Sequence, residues 1–548
     1  MRQVTRSSIP AVLRSSLFLF SVLLCSNHAV GDETPSPIQF AAEVDRQLQR
    51  ELPGTKLQPA ADDVTLLRRL FFDLVGQPPT PDDVLAFLAD SDSEKVNRVI
   101  EQLLGDSQYG MNWARYWRDV ILYRKAEPRA AFVEPSLEEF LADSLNESRG
   151  WDAIAREFVV AKGDVKEIGA TAIIMAQGGM PEDTVAELSR IFCGIQIQCA
   201  QCHDHPTDQW TREQFHQLAA FFPRVAVRPT RDGEQRSFLV SVTDQIYRSS
   251  RRGPVNNRFR GTLEHRMPDL ENPTAEGELM TPAFFVDRQS VDRGALDVER
   301  RGALAKWMTS PENPWFARAY VNRMWSELIG HGFYEPVDDL GPEKEVRCGE
   351  TLELLSGGFK RSGFDAKWLI RTITATQVYR QQSTALSDCT QCTPAVVSPQ
   401  RLRADQLFDA LEVTLNVDLD PARSSNGRPG NARFNVRRVF RSSFGYDPSE
   451  RREEIVGSIS QALAMMNSRL ALQYSRSLSG SGISRVASST ADQKSAISEL
   501  YLRTLSRLPN REETRTCLSY LQRAENRGEG FEDIQWALIN STEFLYRP

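Results

Sequence analysis

The stretch "DDVTLLRRLFFDLVGQPPTPDDVLAFLAD", from Asp62 to Asp90, decides the fold class. Its leucines and phenylalanines recur at helical spacing up to residue 74, and either acid at its start can cap an amphipathic helix. Gly76 and the two prolines after it end that helix. Thr80 precedes a proline and has an acid three residues on, which predicts the start of a second helix. The stretch therefore predicts two helices separated by a sharp stop.

Outward from this stretch, helical patterns continue over most of the chain. In "YGMNWARYWRDVILY" (109–123) the aromatic residues Trp113, Tyr116 and Trp117 are interpreted as core residues. Strand character is confined to "SFLVSVTD" (237–244), which lies in a region rich in loop-forming residues. The sequence predicts a mainly α fold, with two helical domains and a small loop-rich β insertion between them.

The predicted domain boundaries follow these changes of pattern. Residues 1–31 are predicted to be a signal peptide, and 32–225 an N-terminal helical domain. Residues 226–290 are predicted to be the loop-rich β insertion or linker, and 291–548 a C-terminal helical domain. A chain of 548 residues is long enough for two or three domains with buried cores.

Composition excludes some classes of protein. The chain is 41% hydrophobic and 25% charged, as expected of a globular protein rather than a disordered one. Its formal net charge of -7 argues against a nucleic-acid-binding protein. After the first 31 residues, no stretch reaches about 18 uninterrupted apolar residues, so we expect no membrane-spanning helix.

The N-terminus predicts export. Arg2 and Arg6 precede the short apolar stretch "SLFLFSVLLC" (16–25), and the small residues Ala29 and Gly31 follow it. This order is typical of a secretory signal peptide with cleavage near residue 31. Leu24 is not the small residue that a lipid-anchored Cys25 would need before it. We therefore expect a periplasmic or extracellular protein, in a compartment that permits disulfides.

The stretch "CAQCHDHP" (199–206) is the main candidate for a functional site. Cys199, Cys202 and His203 fit the C-x-x-C-H pattern of covalent c-type haem attachment. The two thiols can bind the porphyrin, and the histidine can ligate the iron. If the helix that begins near Glu182 continues this far, the three side chains share one face. A second axial ligand would come from elsewhere, with His205, His216, His265 and Met267 as candidates.

Two other interpretations of this stretch stay open. Cys199, Cys202, His203 and His205 could instead bind zinc or iron, with Asp204 as a further ligand or as a residue that orients a histidine. The pair Cys389 and Cys392 could complete such a metal site. Alternatively, the cysteines form a purely structural turn, closed by a disulfide or left as thiols, with no cofactor.

Other features favour no particular reaction, so whether the protein is an enzyme is left open. The basic loop "YRSSRRGPVNNRFRG" (247–261) is either a solvated connection or a surface that binds an acidic glycan. The acids Glu335, Asp338 and Asp339 could serve glycoside cleavage, but acids that follow a helix are usually solvated or capping. The nucleophile-elbow, zinc-protease and P-loop motifs are absent.

Several long motifs resemble a known pair of domains. "LLRRLFFDLVGQPPTPDDVLAFLAD", "YGMNWARYWRDVILY" and "IQIQCAQCHDHPTDQWTREQFHQLAAFF" resemble the exported planctomycete-type domain of unknown function 1549. "NPWFARAYVNRMWSELIGHGFYEPVDDLG", "GFDAKWLIRTITATQVYRQQS", "SISQALAMMNS" and "LYLRTLSRLPNREE" resemble its usual partner, domain of unknown function 1553. The resemblance covers residues 40–225 and 290–548.

This resemblance implies a setting and not an activity. "CAQCHDHP" is a hallmark of the first domain, so Cys199, Cys202, His203 and His205 map onto it directly. The resemblance also implies a link to polysaccharide breakdown, with polysaccharides or exported enzymes as partners. After "EPVDDLG" this chain has "PEKEVRCGETLELL" in place of the expected Asn-Pro-Pro-Ser-His-Pro-like turn. The missing histidine argues against any site that depends on it.

Overall fold

Local capping chemistry builds the two helices predicted from the opening stretch. The side chain of Asp62 accepts a hydrogen bond from the backbone of Thr65, and Gly76 ends the helix in the left-handed conformation at φ 74°. Thr80 and Asp83 form a reciprocal capping box at the start of the next helix. Both predicted helices are therefore confirmed.

The computed structural model describes residues 34–232, 235–244, 264–384, 393–417, 419, 436–455, 457–467 and 492–548. The helices before the cysteine–histidine stretch are α1 (Pro37–Glu51), α2 (Asp63–Val75), α3 (Pro81–Ala89), α4 (Lys95–Gly105), α5 (Ser107–Leu122), α6 (Glu134–Asn146), α7 (Trp151–Val160), α8 (Ala172–Ala176) and α9 (Pro181–Leu188). Short 3-10 turns occupy Pro128–Phe132, Gly169–Thr171, Gln198–Gln201 and Arg452–Glu454.

The remaining described helices lie after that stretch. They are α10 (Arg212–Ala219), α11 (Asp297–Met308), α12 (Pro314–Ile329), α13 (Gly349–Arg361), α14 (Ala366–Ala375), α15 (Gln377–Arg380), α16 (Ala404–Leu415), α17 (Val436–Phe444), α18 (Ile459–Asn467), α19 (Gln493–Leu505), α20 (Arg511–Leu521), α21 (Arg527–Ile539) and α22 (Thr542–Leu545). The mainly α class is confirmed.

The strands form only small antiparallel sheets. They are β1 (Gly163–Asp164), β2 (Val225–Asp232), β3 (Gln235–Val242), β4 (Arg266–Met267), β5 (Glu278–Leu279), β6 (Gln400–Arg401) and β7 (Tyr546–Arg547). The largest sheet has the order β1-β3-β2, with Val225 opposite Val242. β4 pairs with β5, and β6 pairs with β7. The predicted strand character at 237–244 thus corresponds to β3.

Aromatic side chains from both predicted domains share one core. Trp117 of α5 stacks on Tyr320 of α12 with ring centroids 5.6 Å apart, and Tyr320 stacks on Phe359 of α13 at 4.9 Å. Trp113, Tyr116 and Trp117 are all buried, which agrees with their interpretation as core residues. Aromatic contacts of this kind add about 0.5–1.5 kcal/mol each beyond their buried area.

Residues Pro35–Pro548 group together as one compact unit. This grouping does not test the domain boundaries predicted near residues 226 and 291, which stay predictions. None of the described helices is long and apolar enough to cross a membrane. The predicted signal peptide at 1–31 lies outside the described residues.

Candidate functional site

The helix before the cysteine–histidine motif ends earlier than expected. α9 passes into a π-helical turn at Ser189–Cys193, and Gly194 then takes the left-handed conformation at φ 66°. The backbone N–H of Leu340 donates to the Gly194 carbonyl at 2.6 Å. The condition for Cys199, Cys202 and His203 to share one helical face is therefore not met, because the helix ends at Gly194.

The two cysteines of the motif lie on a separate 3-10 turn, Gln198–Gln201, and just after it. Cys199 and Cys202 are exposed free thiols, while Ala200 between them is fully buried and anchors the turn. In the part of the chain that the structure describes, no three His, Cys, Asp or Glu side chains form a group that could hold a metal ion. The motif thus presents its thiols to solvent.

His203 leaves one ring nitrogen available. Its side chain is exposed, and its Nδ1 lies 2.7 Å from the carbonyl oxygen of Asp204. Because a carbonyl only accepts, Nδ1 carries the proton and donates it, which leaves a lone pair on Nε2. A metal-bound histidine usually has this arrangement, with its second nitrogen donating to a carbonyl.

The neighbouring polar side chains of the motif are used differently. The backbone N–H of Thr207 donates to Nδ1 of His205 at 3.3 Å, which places the His205 proton on Nε2. Asp204 Oδ1 accepts from the backbone N–H of Arg212 at 2.9 Å, at the start of α10. Asp204 Oδ1 therefore fixes the turn to α10, while its second carboxylate oxygen stays available as an acceptor.

The loop after the motif is closed by its own backbone. The N–H of His205 donates to the carbonyl oxygen of Trp210 at 2.8 Å, and Thr211 forms the expected capping box with Gln214. Trp210 is buried edge-to-face against Phe285, with ring centroids 5.0 Å apart. The exposed His203 ring is therefore not covered by Trp210.

A buried histidine pair contacts the cysteine turn through a backbone carbonyl oxygen. His216 Nε2 lies 3.1 Å from the Gln201 carbonyl oxygen, and His216 Nδ1 lies 2.9 Å from Nε2 of His265. Glu182 is 3.9 Å from the other nitrogen of His265. Burial lowers the pKa of both histidines to about 4, so at neutral pH the pair is uncharged.

This pairing bears on the candidates for a second axial ligand. Both ring nitrogens of His216 are hydrogen-bonded, so His216 could ligate iron only after the pair separates. His265 is buried, whereas Met267 is half-buried in β4, two residues further on. Among these candidates, His205 and Met267 need the least rearrangement.

The acids near residue 338 hold structure together. Asp338 is fully buried and accepts from Arg190 at 2.8 Å and from Gln196 at 2.9 Å. Glu335 accepts from the backbone N–H of Gly332, and Asp339 pairs with Lys344 at 3.0 Å. These contacts favour the capping and structural interpretation over glycoside cleavage, although Asp338 is buried rather than solvated.

A contact between the motif and a distant turn could not be foreseen. Lys344 Nζ donates to Thr207 Oγ1 at 3.2 Å. A Cβ atom at Gly341 would lie 1.7 Å from Asp208 Oδ2, so only glycine fits there without a shift. The glycine of "EPVDDLG" was the only sequence signal for this packing. The basic loop (247–261), Cys389 and Cys392 lie outside the described residues.

Two family models match the chain. One, described as a protein of unknown function (DUF1549), matches residues 43–227, and the other, described as a protein of unknown function (DUF1553), matches residues 300–428. The first match contains the whole cysteine–histidine motif, and the second contains the turn at Gly341 that packs against it. None of the curated proteins and none of the solved structures matches the chain.

Proposed function

The chain belongs to the proteins that carry domains of unknown function 1549 and 1553 as a pair, and on that premise we propose that its function resides at the turn from Cys199 to His205. The turn is a c-type haem attachment site in an exported redox protein. Cys199 and Cys202 bind the porphyrin through thioether bonds, and His203 ligates the iron. The signal peptide predicted at 1–31 delivers the chain to a compartment where such attachment takes place.

The state of His203 carries this proposal. Its Nδ1–H is held by the Asp204 carbonyl oxygen at 2.7 Å, and the ring is exposed. The hydrogen bond fixes the ring and raises the basicity of Nε2, the nitrogen left for the iron. Because His203 directly follows the C-x-x-C pair, this preset nitrogen lies beside the two thiols.

The two thiols also support the proposal of covalent haem attachment. Cys199 and Cys202 are exposed and unpaired, and buried Ala200 fixes the turn between them. Covalent attachment needs two accessible thiols and no convergence of both sulfurs on one metal atom. When bound, haem supplies one-electron transfer at a potential that the axial ligands and the surroundings tune. Because the resemblance links this pair of domains to polysaccharide breakdown, we propose exported polysaccharide-degrading enzymes as partners of the chain.

A zinc or iron site built from Cys199, Cys202, His203 and His205 has less support. Structural zinc needs four donors in a tetrahedron about 2.0–2.3 Å from the ion. His205 Nδ1 already accepts from Thr207, and Asp204 accepts from the backbone of Arg212. His205 would have to give up its hydrogen bond to become a ligand, whereas Asp204 could still offer Oδ2.

The test is expression of the full chain in a host that exports it and matures c-type cytochromes. We expect a red protein whose Soret band stays with the polypeptide after acid-acetone extraction. Cys199→Ser and Cys202→Ser together should abolish covalent haem. Cys517→Ala is the control, since Cys517 is remote and buried against Tyr501.

Three other results would reject the proposal. A colourless protein with one zinc or iron per chain would identify a non-haem metal site. A colourless, metal-free protein with a mapped Cys199–Cys202 disulfide would make the turn structural. Haem that is lost completely on extraction would show non-covalent binding.

A further inference from the structure

A cavity separate from the cysteine–histidine turn lies between α2 and the C-terminal helices. It has a volume of about 390 Å³, which falls within the range of small-molecule sites. Apolar walls come from Val64, Pro399, Leu505 and the ring of Tyr546. Arg68, from the same face of α2 as Val64, brings a guanidinium to this wall.

Arg68 is buried without a carboxylate partner among the described residues. It is 3% exposed, and its Nη1 donates to Ser506 Oγ at 3.1 Å. Nη2 donates to the backbone carbonyl of Glu543 at 3.3 Å, and Nε is buried with no hydrogen-bond partner. The guanidinium also lies over the ring of Phe72 at 4.9 Å. Burial lowers the pKa of Arg68 to about 10, so it stays charged at neutral pH.

Two further buried arginines, Arg69 and Arg547, lie near Arg68 but have their own partners. Arg547 pairs with Asp73 at 2.9 Å, and Arg69 Nε donates to the main-chain oxygen of Pro548 at 2.9 Å. Arg69 also donates to the main-chain oxygen of Gln381 at 3.0 Å, so among these three arginines Arg68 has the least favourable set of partners, with no hydrogen bond to a described residue shorter than 3.1 Å. Isolated buried charge is costly, so such groups are normally paired.

The nearest exposed acid, Glu543, makes no direct ion pair with Arg68. The Glu543 carboxylate binds Arg507 with both oxygens, at 2.6 and 2.8 Å. Arg507 in turn receives a second carboxylate from Glu513 at 2.7 Å. Both rim carboxylates therefore bind Arg507 directly; Glu543 acts on Arg68 only at longer range, and the direct hydrogen-bond acceptors of Arg68 among the described residues are neutral oxygen atoms.

We propose that this cavity binds a small organic carboxylate with an apolar body. Its carboxylate pairs with Arg68, whose planar guanidinium suits two-oxygen anions, and its hydrocarbon part packs against Val64, Leu505 and Tyr546. This site is independent of the haem proposal, because the two share no residue.

The experiment is calorimetric titration of the full chain with sodium octanoate at neutral pH. Acetate carries the charge without the apolar body, and 1-octanol carries the body without the charge. We expect octanoate to bind at least tenfold more tightly than either. Arg68→Met should weaken octanoate binding by at least tenfold, while Arg515→Met, at an exposed site, should leave it unchanged.

A second variant protects the test against misfolding of Arg68→Met. Val64→Trp fills the cavity from the edge of α2 and keeps the Arg68 charge, and it should also abolish octanoate binding while circular dichroism stays native. The proposal is overturned if millimolar octanoate does not bind the wild-type chain, if 1-octanol or acetate binds equally well, or if folded Arg68→Met or Val64→Trp binds octanoate normally.

Discussion

His203 and His205 use their ring nitrogens in opposite ways, and this difference lets two single substitutions test the haem proposal. His203 donates through Nδ1, whereas His205 accepts there from Thr207. We expect His203→Ala to lose the low-spin haem spectrum even where the porphyrin stays attached to the cysteines. His205→Ala should keep the covalently attached haem and the His203–iron bond, and a change to a high-spin spectrum in this variant would identify His205 as the second axial ligand. If instead only His205→Ala changes the spectrum, the iron ligand has been assigned to the wrong histidine.

The buried histidine pair makes stability depend on pH. A histidine ordinarily titrates near 6.5, and burial lowers the pKa of His216 and His265 to about 4. Between these values the unfolded chain binds protons that the folded chain does not, so the free energy of unfolding falls as the pH drops from about 6.5 to 4. We expect a loss of about 1–2 kcal/mol per buried histidine by pH 5, measured by urea denaturation.

Substitutions of single histidines test the cause of this pH dependence, with the slope of the free energy of unfolding against pH as the readout. His331 is also buried, with its pKa lowered to about 4, and contributes to the slope in every variant. His265→Gln removes one titrating group and should make the slope below pH 6.5 shallower. His203→Gln, at an exposed ring, should leave the slope as in the wild type. Equal slopes for all three proteins would mean that His265 titrates normally.

At the scale of single elements, local chemistry was predictable and distant contacts were not. The capping residues Thr80 and Thr211 could be predicted because every atom of a capping box lies within four residues. The hydrogen bond from Leu340 to the Gly194 carbonyl could not, because its partners lie nearly 150 residues apart in the sequence. The candidate site follows the same division: the motif residues were found, but their separation from α9 and their hydrogen bonds were not.

The turn at Gly341 should control how firmly the cysteine–histidine loop is held. In Gly341→Ala, the new Cβ atom forces the half-exposed Asp208 carboxylate, the end of a flexible side chain, to turn away, at a cost of about 0.5 kcal/mol as at other half-exposed positions. We expect faster amide hydrogen exchange over residues 205–211 and a lower free energy of unfolding. Gly357→Ala lies within helix α13, where its Cβ has room, and should be neutral or slightly stabilising. Unchanged exchange in Gly341→Ala would show that this turn does not brace the loop.

At the scale of the whole molecule, buried ion pairs join parts of the chain that the sequence pattern assigns to different domains. Arg115 and Arg118 of α5 pair with Asp409 and Asp405 of α16, each at 2.6 Å. An amphipathic pattern shows only that a helix has a buried face, and these arginines sit within such a face without revealing their partners. The mainly α class was therefore predictable, while the shared core and its buried charges depend on pairings across the chain.

A substitution of Asp338 tests most directly whether buried ion pairs link the two predicted domains. Burial alone would raise its pKa, but Arg190 and Arg323 hold the pKa well below its ordinary value, so its contribution is present at neutral pH and is lost only in strong acid. Asp338→Ala leaves Arg323 without a carboxylate among the described residues. Breaking a buried pair from one side costs about 3–5 kcal/mol, and we expect a loss of that size in chemical denaturation at pH 7.

The matched control for Asp338 is its neighbour in the sequence. Asp339 pairs with Lys344 at a partly exposed site, and such pairs contribute at most about 1 kcal/mol, so Asp339→Asn should shift the denaturation midpoint little.

Tryptophan fluorescence and circular dichroism should report one coincident transition in the wild type, because Trp117 and Tyr320 belong to the same core. A small effect of Asp338→Ala, or two separate transitions in the wild type, would mean that the two halves fold independently and that the buried arginines do not join them.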